Sequence, residues 1–274
     1  MQPISTAMKL ALAGGVALTM VSGPSYANKK CRDLPSWQEL KDALAASGAT
    51  TLEGAANDNG GLRLNMWGTI VNRDGVVCAV AFTGGDRDDQ WPGSRVISAA
   101  KAYTGNAYSL AGLAVSTANL YAVNQPGGNF WGLQFSNPTA VGASDAAYKG
   151  PASKFGTASD PMVGETIGGQ IVFGGGFGLY SSTGELLGGL GVSGDTSCKD
   201  HNFGWRVRHE LGLDYVPNGP AAVFDNPKQL TRPDNIIYDI GPSEKANTSS
   251  TSSFGHVDCG LGENAISKTL PEVP

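Results

Sequence analysis

Apolar and polar positions recur with two different periods along this chain, and the change of period marks its elements. Leu40, Leu44 and Ala45 fall at helical spacing behind Ser36-Trp37-Gln38-Glu39, a capping-box pattern. A helix is therefore expected to start there and to stop near Gly48. Residues 62–71 and 76–82 are rich in β-branched and aromatic side chains and are separated by Asn72-Arg73-Asp74-Gly75, which predicts a hairpin. On its second strand Cys78, Val80 and Phe82 are expected to share one face, and Val77, Ala79 and Ala81 the other. Both sets are apolar, so the strand should be covered on both sides.

A Gly- and Asp-rich loop, residues 84–89, leads through Pro92 to a small-residue helix beginning at Ser94. Val96, Ala99, Ala100 and Tyr103 mark its expected buried face. Another helix is predicted from Ser116 or Thr117 to the break at Pro126-Gly127-Gly128, and residues 130–161 show little periodicity. A second hairpin, residues 171–180 and 185–193, turns at Ser181-Ser182-Thr183-Gly184. Asp195-Thr196-Ser197 can then cap a helix running to Leu211, stopped by Gly212. Beyond Pro217 the chain reads as loop, with a Ser/Thr-rich stretch over residues 245–254. Two hairpins, each followed by a helix, predict an α/β fold: an antiparallel sheet with helices on its faces.

The first 27 residues do not belong to that pattern. Lys9 precedes an apolar run over residues 10–21, and Gly23, Pro24, Ser25 and Ala27 follow it, as in a secretory signal peptide cleaved before Asn28. The 12-residue run is shorter than the roughly 20 residues that a membrane-spanning helix needs. A periplasmic or secreted protein is expected, with no membrane span after processing. Asp and Glu outnumber Lys and Arg 24 to 19 and no basic run is present, which disfavours nucleic acid as a partner.

Export changes how the four cysteines read. In an oxidising compartment an even count points to disulfides, with three connectivities available. Cys31–Cys78 and Cys198–Cys259 are favoured, the first pinning the N-terminal segment to a strand and the second pinning the tail to the body. Metal ligation is the rival, but no CxxC pair is present.

Gly189-Leu190-Gly191-Val192-Ser193-Gly194 is a literal GxGxxG between a strand and a helix. A dinucleotide site would need a second parallel strand after Leu211, and none is evident. A sharp turn near a pocket is the better reading. Ser193, in Gly-Val-Ser-Gly-Asp, misses the GxSxG nucleophile elbow by one position. His201, Trp205 and His209 lie at i, i+4 and i+8, one helical stripe that could face a planar ligand, with either His as an iron ligand. The alternative is a partly buried face whose imidazoles hydrogen-bond locally. Asp86, Asp88 and Asp89 lack the glycine of a calcium-binding loop.

Three stretches together carry a resemblance: Trp67 through Gly75 with the strand that follows; Ser94-Arg95-Val96-Ile97-Ser98-Ala99-Ala100-Lys101-Ala102; and Gly174-Gly175-Gly176-Phe177 leading to Gly191-Val192-Ser193-Gly194. In order and spacing they resemble the GlcG/HbpS family of haem-binding proteins, which includes the C-terminal domain of PduO. The resemblance covers about Ser36 to Leu213 and implies profilin-like α/β/α layers and assembly into homo-oligomers. It divides the chain into a signal peptide (1–27), a GlcG/HbpS-like domain (28–216) and a loop-rich C-terminal extension (217–274). It also implies haem or a related tetrapyrrole as ligand, with haem degradation proposed for some members. In that light Gly174, Gly175, Gly176, Ser193 and Gly194 would let a ligand approach the backbone, beside Trp205. Arg95 and Lys101 would meet its carboxylates. The chain departs from the family in its insert at 130–161, in its tail, and in lacking a Glu-x-x-Glu iron pair. A non-catalytic binder is expected; the alternatives are a haem-degrading enzyme and a sensory or structural module with a vestigial pocket.

Overall fold

The computed structural model describes residues 31–48, 58–136, 143–225, 230–240 and 250–274; the expected signal peptide lies outside them. A four-stranded, wholly antiparallel sheet of order β2-β1-β4-β3 is built from β1 (Trp67–Asn72), β2 (Val77–Phe82), β3 (Gly176–Tyr180) and β4 (Leu186–Ser193). Among the described residues three helices of ten or more residues pack on it: α1 (Trp37–Ala46), α2 (Ser94–Ala107) and α3 (Ser197–Glu210). Leu40 and Leu44 of α1 join Phe203 and Val207 of α3 against Ile70, Ala81, Leu190 and Val192 on one face. Ala99 and Ala102 of α2 meet Trp67, Val71, Val77 and Val80 on the other. The result is an α/β/α layering with an antiparallel sheet. Among the described residues no helix is long and apolar enough to cross a membrane.

The capping signals act as read. Ser36 and Glu39 form a reciprocal capping box on α1, and the Thr196 hydroxyl accepts from Lys199 N–H at the start of α3. Both expected disulfides, Cys31–Cys78 and Cys198–Cys259, are present.

Four local expectations change. A bulge between Ile70 and Val71 sets the pairs Ile70–Ala79 and Val71–Val77, leaving Cys78 as the extra residue. The alternation therefore breaks, and Cys78 packs with Ala79 and Ala81 beside α1, while Val77 joins Val80 and Phe82 beneath α2. The helix expected after Ser116 is instead two 3-10 turns, Thr117–Leu120 and Ala122–Asn124, because Ala122 N–H donates to Gly255 of the tail. Strand β3 begins at Gly176, since Gly175, at φ +116°, turns the chain out of extended geometry. Finally, α2 is buried nearly all round, including Arg95, Ser98, Lys101 and Thr104, whereas Val96 and Tyr103 are only half-buried.

That burial has two sources. A Cβ on Gly189 would fall on the Ala102 carbonyl, and one on Gly191 on the Ser98 carbonyl, so glycine lets α2 lie directly on the sheet. Its outer side is then covered by the insert and by the segment around residues 169–173. The tail is similarly absorbed: Asp234, Asn235, Ile236, Ile237 and His256 are all buried.

Candidate functional site

Several of the expected site residues do converge. Lys101 Nζ lies 2.6 Å from Asp200 Oδ2, both side chains being buried. A Cβ on Gly175 would come within 3.0 Å of that ammonium, and one on Gly174 would strike the Ser197 carbonyl and His201. Asp200 Oδ1 accepts from Asp195 N–H at 3.0 Å, and the Lys101 ammonium sits 5.0 Å from the Phe173 ring centre. Burial pushes the Asp200 carboxyl up to about 6 and lowers the Lys101 ammonium, each partly opposed by its partner's charge.

His201 and His256 flank this centre. His201 Nε2 lies 3.1 Å from Asn235 Oδ1 and 3.0 Å from the donating Ile236 N–H, and its buried Nδ1 has no hydrogen-bond partner among the described residues. Burial pushes its imidazole down to about 3, so it is neutral. His256 donates from Nδ1 to the Val257 carbonyl at 2.7 Å, packs 4.7 Å from Tyr121, and is pushed down to about 4 by burial. The tail holds all of this under cover. Asn119 Nδ2 donates to the Asn235 carbonyl, His256 N–H to Ile237, and Trp205 Nε1 to Pro271, while Cys259 is tied to α3 through Cys198.

The remaining residues lie elsewhere. Trp205 packs on Phe177 and Leu270 beneath the tail. Ser193 ends β4 opposite Trp67, and a Cβ on Gly194 would fall on the Asn65 carbonyl. His209 is at the far end of α3, with a side chain 39% exposed and Nδ1 2.6 Å from Asp214 Oδ2. The histidine stripe is thus split between a sealed end and a wet one. The space beside Gly174, Gly175, Gly176 and Gly194 is taken by protein atoms. Arg95 and Lys101 are both committed to buried aspartates, so neither charge is free for a ligand carboxylate. Charged groups enter a core only when paired in this way.

An open space does exist, on the α2 side of the molecule. A cleft of about 280 Å³ is walled by Trp67, Pro92, Gly93, Tyr148, Ala152 and Phe155, with Arg87 and Asp88 also on its lining. Its wall is braced through Arg95. The Arg95 guanidinium binds both oxygens of Asp160, donates to the Ala147 carbonyl at 2.6 Å, and stacks 3.8 Å above the Phe155 ring. Asp160 also accepts from the Gly156 and Met162 N–H groups, which organises the insert around it. Trp67 donates from Nε1 to the Trp91 carbonyl at 3.0 Å. Periodicity could not point to this cleft, since three of its nine lining residues, Tyr148, Ala152 and Phe155, come from the non-periodic insert. The available signal was the insert's aromatic and acidic residues, Tyr148, Phe155 and Asp160. Among the described residues, no group of three or more His, Cys, Asp or Glu could hold a metal ion.

A family model described as haem degrading protein HbpS-like matches residues 40–206, spanning the sheet, α2 and most of α3. The chain belongs to the HbpS-like family. The sheet order and the layering above are the fold on which that match falls. The chain is also similar to solved structures, two of which are the following. The Klebsiella pneumoniae protein ORFY, of family DUF336, is 17% identical with a TM-score of 0.41, over 64% of this chain and 86% of that one. The PduOC:haem complex is 20% identical with a TM-score of 0.40, over 63% of this chain and 89% of that one. The comparison with curated proteins finds no match.

Proposed function

We propose that this chain is an exported haem- or tetrapyrrole-binding protein that holds its ligand without degrading it, and that the Trp67–Phe155 cleft is the binding place. The carrying observation is the cleft itself. Its apolar wall, stiffened by the Arg95–Phe155 stack, suits the face of a flat macrocycle, and Arg87, which pairs with Asp88 through Nη1 alone, keeps its other guanidinium nitrogens for a carboxylate. A volume of about 280 Å³ takes part of a porphyrin and leaves an edge in solvent. The description of the family supports haem as the ligand class. Binding is favoured over degradation because Lys101, Asp200, His201 and His256 are paired or covered and none of the four lines the cleft, while Arg95, which does, is committed to Asp160. The signal-like segment at residues 1–27 and the two disulfides support export.

Gly93 provides a clean test. It lines the cleft, has helical backbone angles, and would place a Cβ with no atom within 4 Å. Haemin and iron-free protoporphyrin IX are titrated into wild type and Gly93→Phe, following the Soret band and tryptophan fluorescence. Saturable binding to wild type is expected, lost in the variant at an unchanged urea midpoint. Absence of binding to wild type, or equal binding to the variant, overturns the assignment. Bleaching of bound haem with ascorbate and oxygen would move it to an enzyme.

A further inference from the structure

We propose that the Tyr148 hydroxyl oxygen is the protein ligand to ferric haem iron in this cleft; this rests on the cleft being the tetrapyrrole site. Proteins hold haem iron through His nitrogen, Cys or Met sulfur, or Tyr oxygen. All four cysteines are consumed in disulfides. His201 and His256 are buried beneath the tail, and His209 stands at the end of α3, outside the cleft. Met66 and Met162 are fully buried in the core, and neither lines the cleft.

Within the cleft lining, two side chains carry an oxygen donor, Asp88 and Tyr148. Asp88 Oδ1 is taken by Arg87 at 2.8 Å. Tyr148 is 60% exposed, and its hydroxyl has no hydrogen-bond partner among the described residues. Its position in the chain is nevertheless held. On one side the Ala147 carbonyl accepts from the buried Arg95, and on the other Lys149 pairs with Glu165. An unpartnered oxygen donor on an anchored segment at the mouth of an apolar cleft is what iron ligation from the protein requires.

The step is a ligand exchange. An iron–water bond breaks, an iron–phenolate bond forms, the water leaves, and the phenolic proton passes to solvent. The iron stays ferric throughout. A hard anionic oxygen favours ferric over ferrous iron, so chemical reduction should weaken the bond.

The test is a titration of wild type and Tyr148→Phe with haemin and, separately, with protoporphyrin IX. Wild type loaded with haemin should show a phenolate-to-iron charge-transfer band and tyrosinate modes in the resonance Raman spectrum, both lost on reduction with dithionite. Tyr148→Phe should lose them while oxidised and bind haemin at least tenfold more weakly, with protoporphyrin IX affinity within twofold of wild type. A variant that keeps the wild-type spectrum and haemin affinity overturns the ligand assignment and leaves the cleft standing. Failure of wild type to bind either porphyrin overturns both.

Discussion

Lys101 Nζ and Asp200 Oδ2 meet 2.6 Å apart at a point where the backbone of Gly175 closes over them, joining α2 to α3 across the end of the sheet. Each is the ion-pair partner of the other in the core, with the Asp195 N–H and the Phe173 ring as lesser supports. Lys101→Met should therefore cost about 3–5 kcal/mol, because it strands a carboxylate. Lys101→Met combined with Asp200→Leu should recover most of that, since both charges leave together. Urea unfolding of the two single variants and the double variant measures the coupling. If the double variant is as unstable as the sum of the singles, the pair is not coupled.

Acid should weaken the fold, and histidine sets the sign. His201 and His256 are held down to about 3 and about 4 in the fold, while an unfolded imidazole titrates near 6.5. Between about pH 4 and 6.5 the unfolded chain takes up protons that the fold refuses, so stability falls as pH drops. Asp200 opposes this, because its carboxyl is raised to about 6 and binds a proton in the fold first. Two imidazoles against one carboxyl leave a net slope on the order of 1 kcal/mol per pH unit. Urea midpoints from pH 4.5 to 7 should show it, and His256→Gln should flatten it. A midpoint that rises towards acid would reverse the assignment.

Glycine on β4 is predicted to be structural. Gly191→Ala would drive a methyl group into the Ser98 carbonyl and the Ala102 nitrogen, lifting α2 off the sheet. A loss of more than about 2 kcal/mol is expected, in the range of backbone-strained or overpacked sites. Gly112→Ala meets no atom within 4 Å and should stay within about 0.5 kcal/mol of wild type. Thermal unfolding of the two variants makes the comparison.

The tail should be held shut by its disulfide. Cys198 and Cys259 close a loop with a sequence separation of 61, and in the chain-entropy model that constraint is worth about 4 kcal/mol. Cys198→Ala with Cys259→Ala should lower stability by several kcal/mol and speed amide exchange at Ile236, Ile237 and His256. Exchange mass spectrometry checks this locally, and unchanged protection there would show that packing alone holds the tail.

Much of this protein was legible from local signals. The Ser36–Glu39 capping box, the Asn72–Gly75 turn and the Thr196 cap each act over a few residues, so they formed the predicted elements whatever lay around them. The order of hairpins and helices followed, and with it the antiparallel α/β layering. The two cysteine pairs were also readable, as one of three connectivities. Tertiary structure alone decided what each charge and each glycine faces. Arg95 and Asp160 are 65 positions apart, and Lys101 and Asp200 are 99. Nothing in the local pattern distinguishes a charge paired in a core from one solvated at a surface. A glycine likewise announces a close approach without naming the visitor, which on β4 is helix α2 and not a ligand. The cleft and its Tyr148 exist only because the non-periodic insert folds back around Asp160, a contact set by burial energy and not by any repeat along the chain.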